Sequence, residues 1–238
     1  MVIPNGFRVA HALLNTSEVD ALRGAICDSI DRVARVMLTP YDTSWPSAEI
    51  EERIERAARQ DRAYASALLQ VALADAQRDA RLAALQDHPQ LSSAIRSILA
   101  PAEPTGVVVR ARAAIPAFAS RISPWHQDVI RPDATTGCAT VRMACWIPLA
   151  DVDETTGALE LIPGTRETPC PHVAAEDGHF AIPEKDLPPG ERCIVPMRRG
   201  DVLFLDRFVP HRARPTRGVQ GRWSIVMWVK AGGSVTTC

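Results

Sequence analysis

Lysine is nearly missing from this chain of 238 residues: Lys185 and Lys230 are the only two among 27 basic side chains, and the rest are arginine. Arginine suits carboxylate and phosphate recognition, but a high-GC coding bias produces the same skew, so the skew alone assigns nothing. There is no excess of either sign of charge. The 28 acids leave a net charge of −1, and no general pull towards nucleic acid or an acidic membrane surface is expected. Aromatic residues are scarce at 5%, which leaves no obvious flat cage for a polycyclic ligand. No apolar run approaches the roughly 18–20 residues that a membrane-spanning helix needs. Arg8 and His11 break up the apolar residues of MVIPNGFRVAHALLNTSEVD, a poor signal peptide, and the expected compartment is the cytoplasm. The six cysteines are Cys27, Cys138, Cys145, Cys170, Cys193 and Cys238. None forms a C-x-x-C pair, and their scatter fits neither a zinc spacing nor a compact disulfide framework. They are expected to be reduced, with Cys145 in the core.

What is present is ordinary for a globular protein: 46% hydrophobic and 23% charged residues. Two patterns divide the chain. Residues 16–100 read as helical. Thr16 or Ser17 is a possible N-cap, after which Val19, Leu22, Ile26, Ile30 and Val33 recur at three- and four-residue steps. The Ala-, Arg- and Glu-rich stretch after Ser47, with Leu68, Leu69, Val71, Leu73, Leu82 and Leu85, suits a long or broken helix. HPQLSSAIRSILAP suits a shorter one closed by Pro101. From about 105 to 230 the pattern changes to short runs rich in β-branched and aromatic residues: GVVVRARA, ATVRMACWIPL, GALELIPG, RCIVPM, GDVLFLD and RWSIVMWVK. Gly, Pro and Asp punctuate them, as strands require. The fold class is α+β, helices packed against a β-sandwich or barrel. Neither half looks self-sufficient, so residues 1–238 are read as a single domain. The long loop at 169–191 carries several prolines and glycines and is a candidate lid.

The stretch SPWHQDVIRP at 123–132 holds the first chemical clue. In an extended strand, side chains two apart share a side, so His126 and Asp128 face one space while Gln127 turns away or to the rim. An isolated H-x-D is more often a polar surface turn, and a metal reading needs a third ligand. His172 and His179 lie in the loop, where a histidine is more often solvated. His211 follows the apolar strand of GDVLFLDRFVPH, a rigid frame on which a ligand is held accurately. Two imidazoles and one carboxylate leave positions open on a metal, the arrangement of non-haem Fe(II) oxygenases. A structural zinc site is normally closed by four ligands, and no fourth is evident. Arg222 lies beyond RARPTRGVQG, enough chain to turn back, and a buried guanidinium grips a carboxylate with two parallel hydrogen bonds. Ser224 shares its face.

Together PWHQD at 124–128, GALELIPGT at 157–165, GDVLFLDRFVPH at 200–211 and Arg222 resemble the phytanoyl-CoA dioxygenase family of Fe(II)- and 2-oxoglutarate-dependent oxygenases. With the helix HPQLSSAIRSILA the resemblance spans roughly residues 88–230. It implies a double-stranded β-helix, or jelly roll, with the N-terminal helices packed on the major sheet of one catalytic domain. It implies that His126, Asp128 and His211 bind Fe(II), that Arg222 binds the distal carboxylate of 2-oxoglutarate, and that Trp146 lies near that cosubstrate unless it is simply core. Gln127, Arg112 and Arg142 are substrate candidates. The implied reaction consumes O2 and 2-oxoglutarate, releases succinate and CO2, and hydroxylates an unactivated carbon of a small molecule such as an amino acid or a biosynthetic intermediate. Related halogenases replace the carboxylate ligand with a small residue, so Asp128 argues for hydroxylation, desaturation or ring formation.

The sequence departs from the family pattern twice. Ala213 stands where many members have a small hydroxylated residue two after the distal histidine, a loss that Ser224 could offset. Arg166 stands where a histidine often follows P-G-[S/T], and it is read as a surface residue. Arg110, Arg112, Arg121, Arg131 and Arg142 lie on or beside the strands around the H-x-D. If several point inwards, an anionic substrate follows. Alternation puts Arg110 and Arg112 on one face opposite Val109 and Ala111, and that face is read as solvent. The rival readings are a cupin-like metalloenzyme that uses no oxo acid and a non-catalytic iron- or ligand-binding protein.

Overall fold

The computed structural model describes residues 3–37, 48–128, 141–164, 167–174 and 180–231. Arg131, Cys138, Arg166, His179, Cys238 and the side chain of Arg121 lie outside the described residues.

Five helices precede most of the strands: α1 Thr16–Val36, α2 Ile50–Gln60, α3 Arg62–Ala76, α4 Ala80–Ala83 and α5 Pro89–Leu99. In α1 the residues at three- and four-residue steps, Val19, Leu22, Ile26, Ile30 and Val33, are all buried. Its cap is Asn15 rather than Thr16 or Ser17. The Asn15 side chain accepts from the Glu18 amide at 3.0 Å, and the Glu18 carboxylate accepts from the Asn15 amide at 2.7 Å. This reciprocal pair satisfies two otherwise orphaned donors of the first turn. The helical stretch after Ser47 is broken. At Asp61 the backbone turns extended (φ −148°, ψ 109°), and the Asp61 carboxylate caps α3 by accepting from the Tyr64 amide at 2.9 Å.

The strands are β1 Phe7–Ala10, β2 Pro104–Ala114, β3 Val141–Pro148, β4 Leu159–Leu161, β5 Val173–Ala174, β6 Phe180–Ala181, β7 Cys193–Val195, β8 Val202–Asp206, β9 His211–Ala213 and β10 Arg222–Ala231. They form antiparallel sheets ordered β1-β8-β3-β10-β2, β7-β4-β9 and β5-β6. Strand β1 had no signal in the sequence, since four residues (FRVA) are too few to show a period; its pairing with β8, Phe7 opposite Leu205, holds it.

The five-stranded sheet is buried on both faces, and alternation sorts its residues. One face presents Trp223, Ile225, Met227 and Val229 of β10 with Met143, Cys145 and Ile147 of β3, and these join the helices in one core. The Trp223 indole donates to the Ile50 carbonyl at 3.0 Å, tying this face to α2. Cys145 is fully buried, as expected, and burial pushes its thiol up out of the reactive range. The opposite face presents Ala144 and Trp146 of β3 with Leu203 and Leu205 of β8. They pack with Leu159 and Leu161 of β4, Val195 of β7 and Ala213 of β9 in a second core between the two sheets. No helix among the described residues is long and apolar enough to cross a membrane.

Candidate metal centre

The inner face of the large sheet opens into a cavity of about 170 Å³. His126, Asp128 and His211 all line it. The backbone brings them together: the His126 amide donates to the His211 carbonyl at 2.9 Å, and the His211 amide returns the bond to His126 at 2.9 Å. This single antiparallel bridge places the two rings with their centroids 4.2 Å apart. Two residues beyond His126, on the same side, an Asp128 oxygen lies 3.6 Å from His211 Nε2. One ligand atom from each residue lies within 4.8 Å of the others, and among the described residues no other such group forms.

The imidazoles are oriented for a metal. His126 Nδ1 lies 2.8 Å from the Pro124 carbonyl and His211 Nδ1 lies 3.0 Å from the Val209 carbonyl. A carbonyl only accepts, so Nδ1 carries the proton in both rings and each Nε2 keeps a free lone pair. Burial, and next the neighbouring His211, lower the pKa of His126, so it stays neutral and able to ligate below its ordinary titration range. The Asp128 carboxylate accepts from the Trp228 indole at 2.6 Å, which fixes one of its oxygens. Trp228→Phe removes that donor and is expected to weaken divalent-metal affinity about tenfold, the lower end for loss of an outer partner. Calorimetric titration with Ni(II) measures it.

Arg222 stands beside this triad, buried at 7% exposure. Its Nη1 donates to Ser224 Oγ at 2.7 Å, and its guanidinium carbon is 5.3 Å from the centre of the Trp146 ring. Its Nε has no hydrogen-bond partner among the described residues. Desolvation pushes its pKa down to about 10, and no nearby acid offsets this. A buried cation without an acid is costly unless an anion joins it, so the cavity has the chemistry of an anion site next to a metal site. Close packing sets the position of Arg222. A side chain on Gly221 would meet Ile115 Cδ1 at 2.5 Å, and the Gly221 amide donates to the Glu51 carbonyl at 2.7 Å.

The other sequence candidates divide. Trp146 lines the cavity beneath Arg222, and Ala213 also lines it and offers no hydroxyl. Ser224 is fully buried and engages Arg222 rather than the cavity. Arg112 does line the cavity, so the face it shares with Arg110 is not simply solvent. Arg142 lies in a separate hollow with Arg207, Asp206 and Glu167, four residues along β3 from Trp146, or about 13 Å at strand rise.

Gln127 turns away from the cavity. Its amide nitrogen donates to the Phe208 carbonyl at 2.5 Å and its amide oxygen accepts from the Cys170 amide at 2.7 Å, while its own N–H donates to His172 Nε2 at 3.1 Å. It staples the start of the 169–191 loop to the segment that carries the triad residues His126 and Asp128, and it does not line the cavity. Gln127→Leu removes both side-chain hydrogen bonds, the one to the Phe208 carbonyl being buried, and is expected to cost about 1–3 kcal/mol, read as a lower thermal midpoint. The described residues of the loop lie outside the cavity lining; Ile182 instead donates to the Trp125 carbonyl at 2.7 Å.

The sequence matches the family description phytanoyl-CoA dioxygenase over residues 4–224. The chain belongs to the phytanoyl-CoA dioxygenase family. No curated protein matches it significantly. Among solved structures it is similar to EvdO2 from Micromonospora carbonacea var. aurantiaca complexed with 2-oxoglutarate, at 20% identity over 98% of this chain and 89% of that one, with a TM-score of 0.58. SnoK, a non-haem α-ketoglutarate-dependent carbocyclase from nogalamycin biosynthesis, is 20% identical over 94% of this chain and 79% of that one, with a TM-score of 0.56. HygX from Streptomyces hygroscopicus with nickel and 2-oxoglutarate bound is 14% identical over 94% and 82%, with a TM-score of 0.53. At these identities the likeness is one of fold. Trp228, the indole partner of Asp128, escaped the sequence reading of this family member. Its signal was parity: it lies an even number of residues from Arg222 and Ser224 on one strand.

Proposed function

We propose that the protein is an Fe(II)- and 2-oxoglutarate-dependent oxygenase that hydroxylates an unactivated carbon of a small molecule, an amino acid or a natural-product intermediate, with release of succinate and CO2. In this reading residues 1–238 form one catalytic domain, a jelly roll whose two facing sheets enclose the site while the helices brace the larger sheet. The observation that carries it is the buried, acid-free guanidinium of Arg222 opening onto the same cavity as two imidazoles and a carboxylate. A metal alone explains the triad and not Arg222, whereas a dicarboxylate that also chelates the metal explains both.

His126 Nε2, His211 Nε2 and Asp128 would hold the iron on one face, and Arg222 would grip the distal carboxylate. Iron and 2-oxoglutarate, when bound, would activate O2, the oxidant that takes hydrogen from carbon while 2-oxoglutarate supplies two of the electrons O2 consumes. The protein's part is placement. The carbonyls of Pro124 and Val209 keep the imidazole tautomers fixed, Trp228 keeps Asp128 aimed, and Ser224 and Trp146 keep Arg222 extended. The apolar residues Leu159, Leu205 and Val226 keep the cavity dry around the reacting groups. The test is succinate release in a screen of amino acids and carboxylated intermediates, which is expected to need both Fe(II) and 2-oxoglutarate. Metal-dependent turnover that persists without 2-oxoglutarate, and in Arg222→Ala, would favour the cupin-like alternative. Metal binding without turnover on any substrate would favour a binding protein.

A further inference from the structure

The cavity that holds the triad and Arg222 is also lined by a second arginine, Arg112. Resting on the oxygenase reading, we propose that the substrate is a carboxylate with an apolar carbon body, and that Arg112 is the residue that receives its carboxylate.

Arg112 lies on β2 opposite Ser224 of β10. Its guanidinium carbon sits 5.2 Å from the centre of the Trp228 ring, and it makes no hydrogen bond or ion pair to any described residue. Some arginines of the chain are matched with acids, as Arg23 with Glu51, Arg53 with Asp31, Arg81 with Asp79 and Arg212 with Glu160. The acid whose charge reaches Arg112 is Asp128, and Asp128 is already engaged by the Trp228 indole and beside His211. Arg112 is exposed on the cavity lining, so its charge is open to an incoming anion.

The two arginines lie on neighbouring strands and line the same cavity. The sheet order here is β3-β10-β2. From β10, Arg222 reaches to Trp146 on the β3 side. From β2, Arg112 reaches to Trp228, the tryptophan bonded to Asp128. The two guanidinium groups thus rest on different aromatic rings. Leu69 and Leu73 of α3 and Ile122 also line the cavity and give it an apolar wall. A ligand whose carboxylate lies on Arg112 and whose chain lies on that wall passes by the triad, which puts a C–H bond where the oxidation takes place.

The experiment is calorimetric titration of the Ni(II)-loaded protein. The first titration uses 2-oxoglutarate alone; if it does not bind, the oxygenase reading fails, whatever Arg112 does. The second, at saturating 2-oxoglutarate, uses matched probes: aliphatic amino acids and carboxylic acids of about four to eight carbons, each against its primary amide. Carboxylates are expected to bind about 10- to 100-fold more tightly than their amides, as for a charge-assisted hydrogen bond. In Arg112→Gln that preference should collapse to within about twofold. Arg112→Lys keeps the charge and loses the two-pronged fork, so it should keep only part of the preference; it also serves if the Gln variant does not fold. Equal binding of acid and amide in the wild type, or a preference undiminished in both variants, overturns the proposal.

Discussion

Asp128→Ala is expected to abolish Fe(II)-dependent turnover, by about a thousandfold or more, with the fold retained. A metal that polarises and orients its ligands accounts for several kcal/mol of barrier lowering, at about 1.4 kcal/mol per tenfold. Asp128 is the one carboxylate in the triad. The cost to folding is smaller. Alanine leaves the Trp228 indole without its acceptor, a loss of about 1–3 kcal/mol. Asp128→Asn separates the two effects, because an amide oxygen can still accept from Trp228 but carries no charge for the metal. Its thermal midpoint should lie close to the wild type and its metal affinity close to that of Asp128→Ala. Full activity in either variant would remove Asp128 from the ligand set.

Arg222→Ala should give a different signature. The side chain is an anchor and not a metal ligand, so the effect falls mainly on 2-oxoglutarate. The KM for 2-oxoglutarate should rise by about a hundredfold or more, in the range for truncating one partner of a buried charge pair, while kcat at saturation falls much less. Stability should move in the unusual direction. Without a ligand, Arg222 is a buried cation that no acid compensates, and replacing such a charge with a neutral group is neutral or stabilising. The ligand-free variant, made as Arg222→Met to keep volume, should melt at or above the wild type. The rise in midpoint that 2-oxoglutarate gives the metal-loaded wild type should disappear. A variant that loses stability without ligand and keeps its 2-oxoglutarate affinity would contradict the role.

Much of the site was legible because it is written in short-range rules. His126 and Asp128 are two apart, and strand parity alone puts them on one side. His211 follows a run, VLFLD, that can only be a buried strand, and Arg222 opens the strand RWSIVMWVK further on. Where the sequence misled, the deciding contact came from far along the chain. Arg112 could be assigned to a face but not to the cavity, because the residues that share the cavity with it, among them His126, Trp146 and His211, come from distant parts of the chain. Parity left Gln127 turned away or at the rim, and the bonds to Phe208 and Cys170, distant in sequence, decide for the first. Arg142 has the same parity as Trp146, but parity does not say how far along a strand a cavity extends. In the fold, α1 showed its period but not its cap: Asn15 and Glu18 bond each other one residue earlier than the Thr–Ser pair suggests. Helices α2 and α3 ran together in the sequence because Asp61 breaks the backbone without a proline or glycine.

The most direct test is anomalous diffraction at the metal edge from crystals grown with Ni(II) and 2-oxoglutarate. The expected result is one peak bonded to Nε2 of His126, Nε2 of His211 and one oxygen of Asp128 at about 2.0–2.2 Å, as for first-row metals on such ligands. Its remaining positions should face 2-oxoglutarate, whose far carboxylate rests on Arg222. A peak elsewhere in the molecule, a fourth protein ligand closing the site, or 2-oxoglutarate bound away from Arg222 would contradict it.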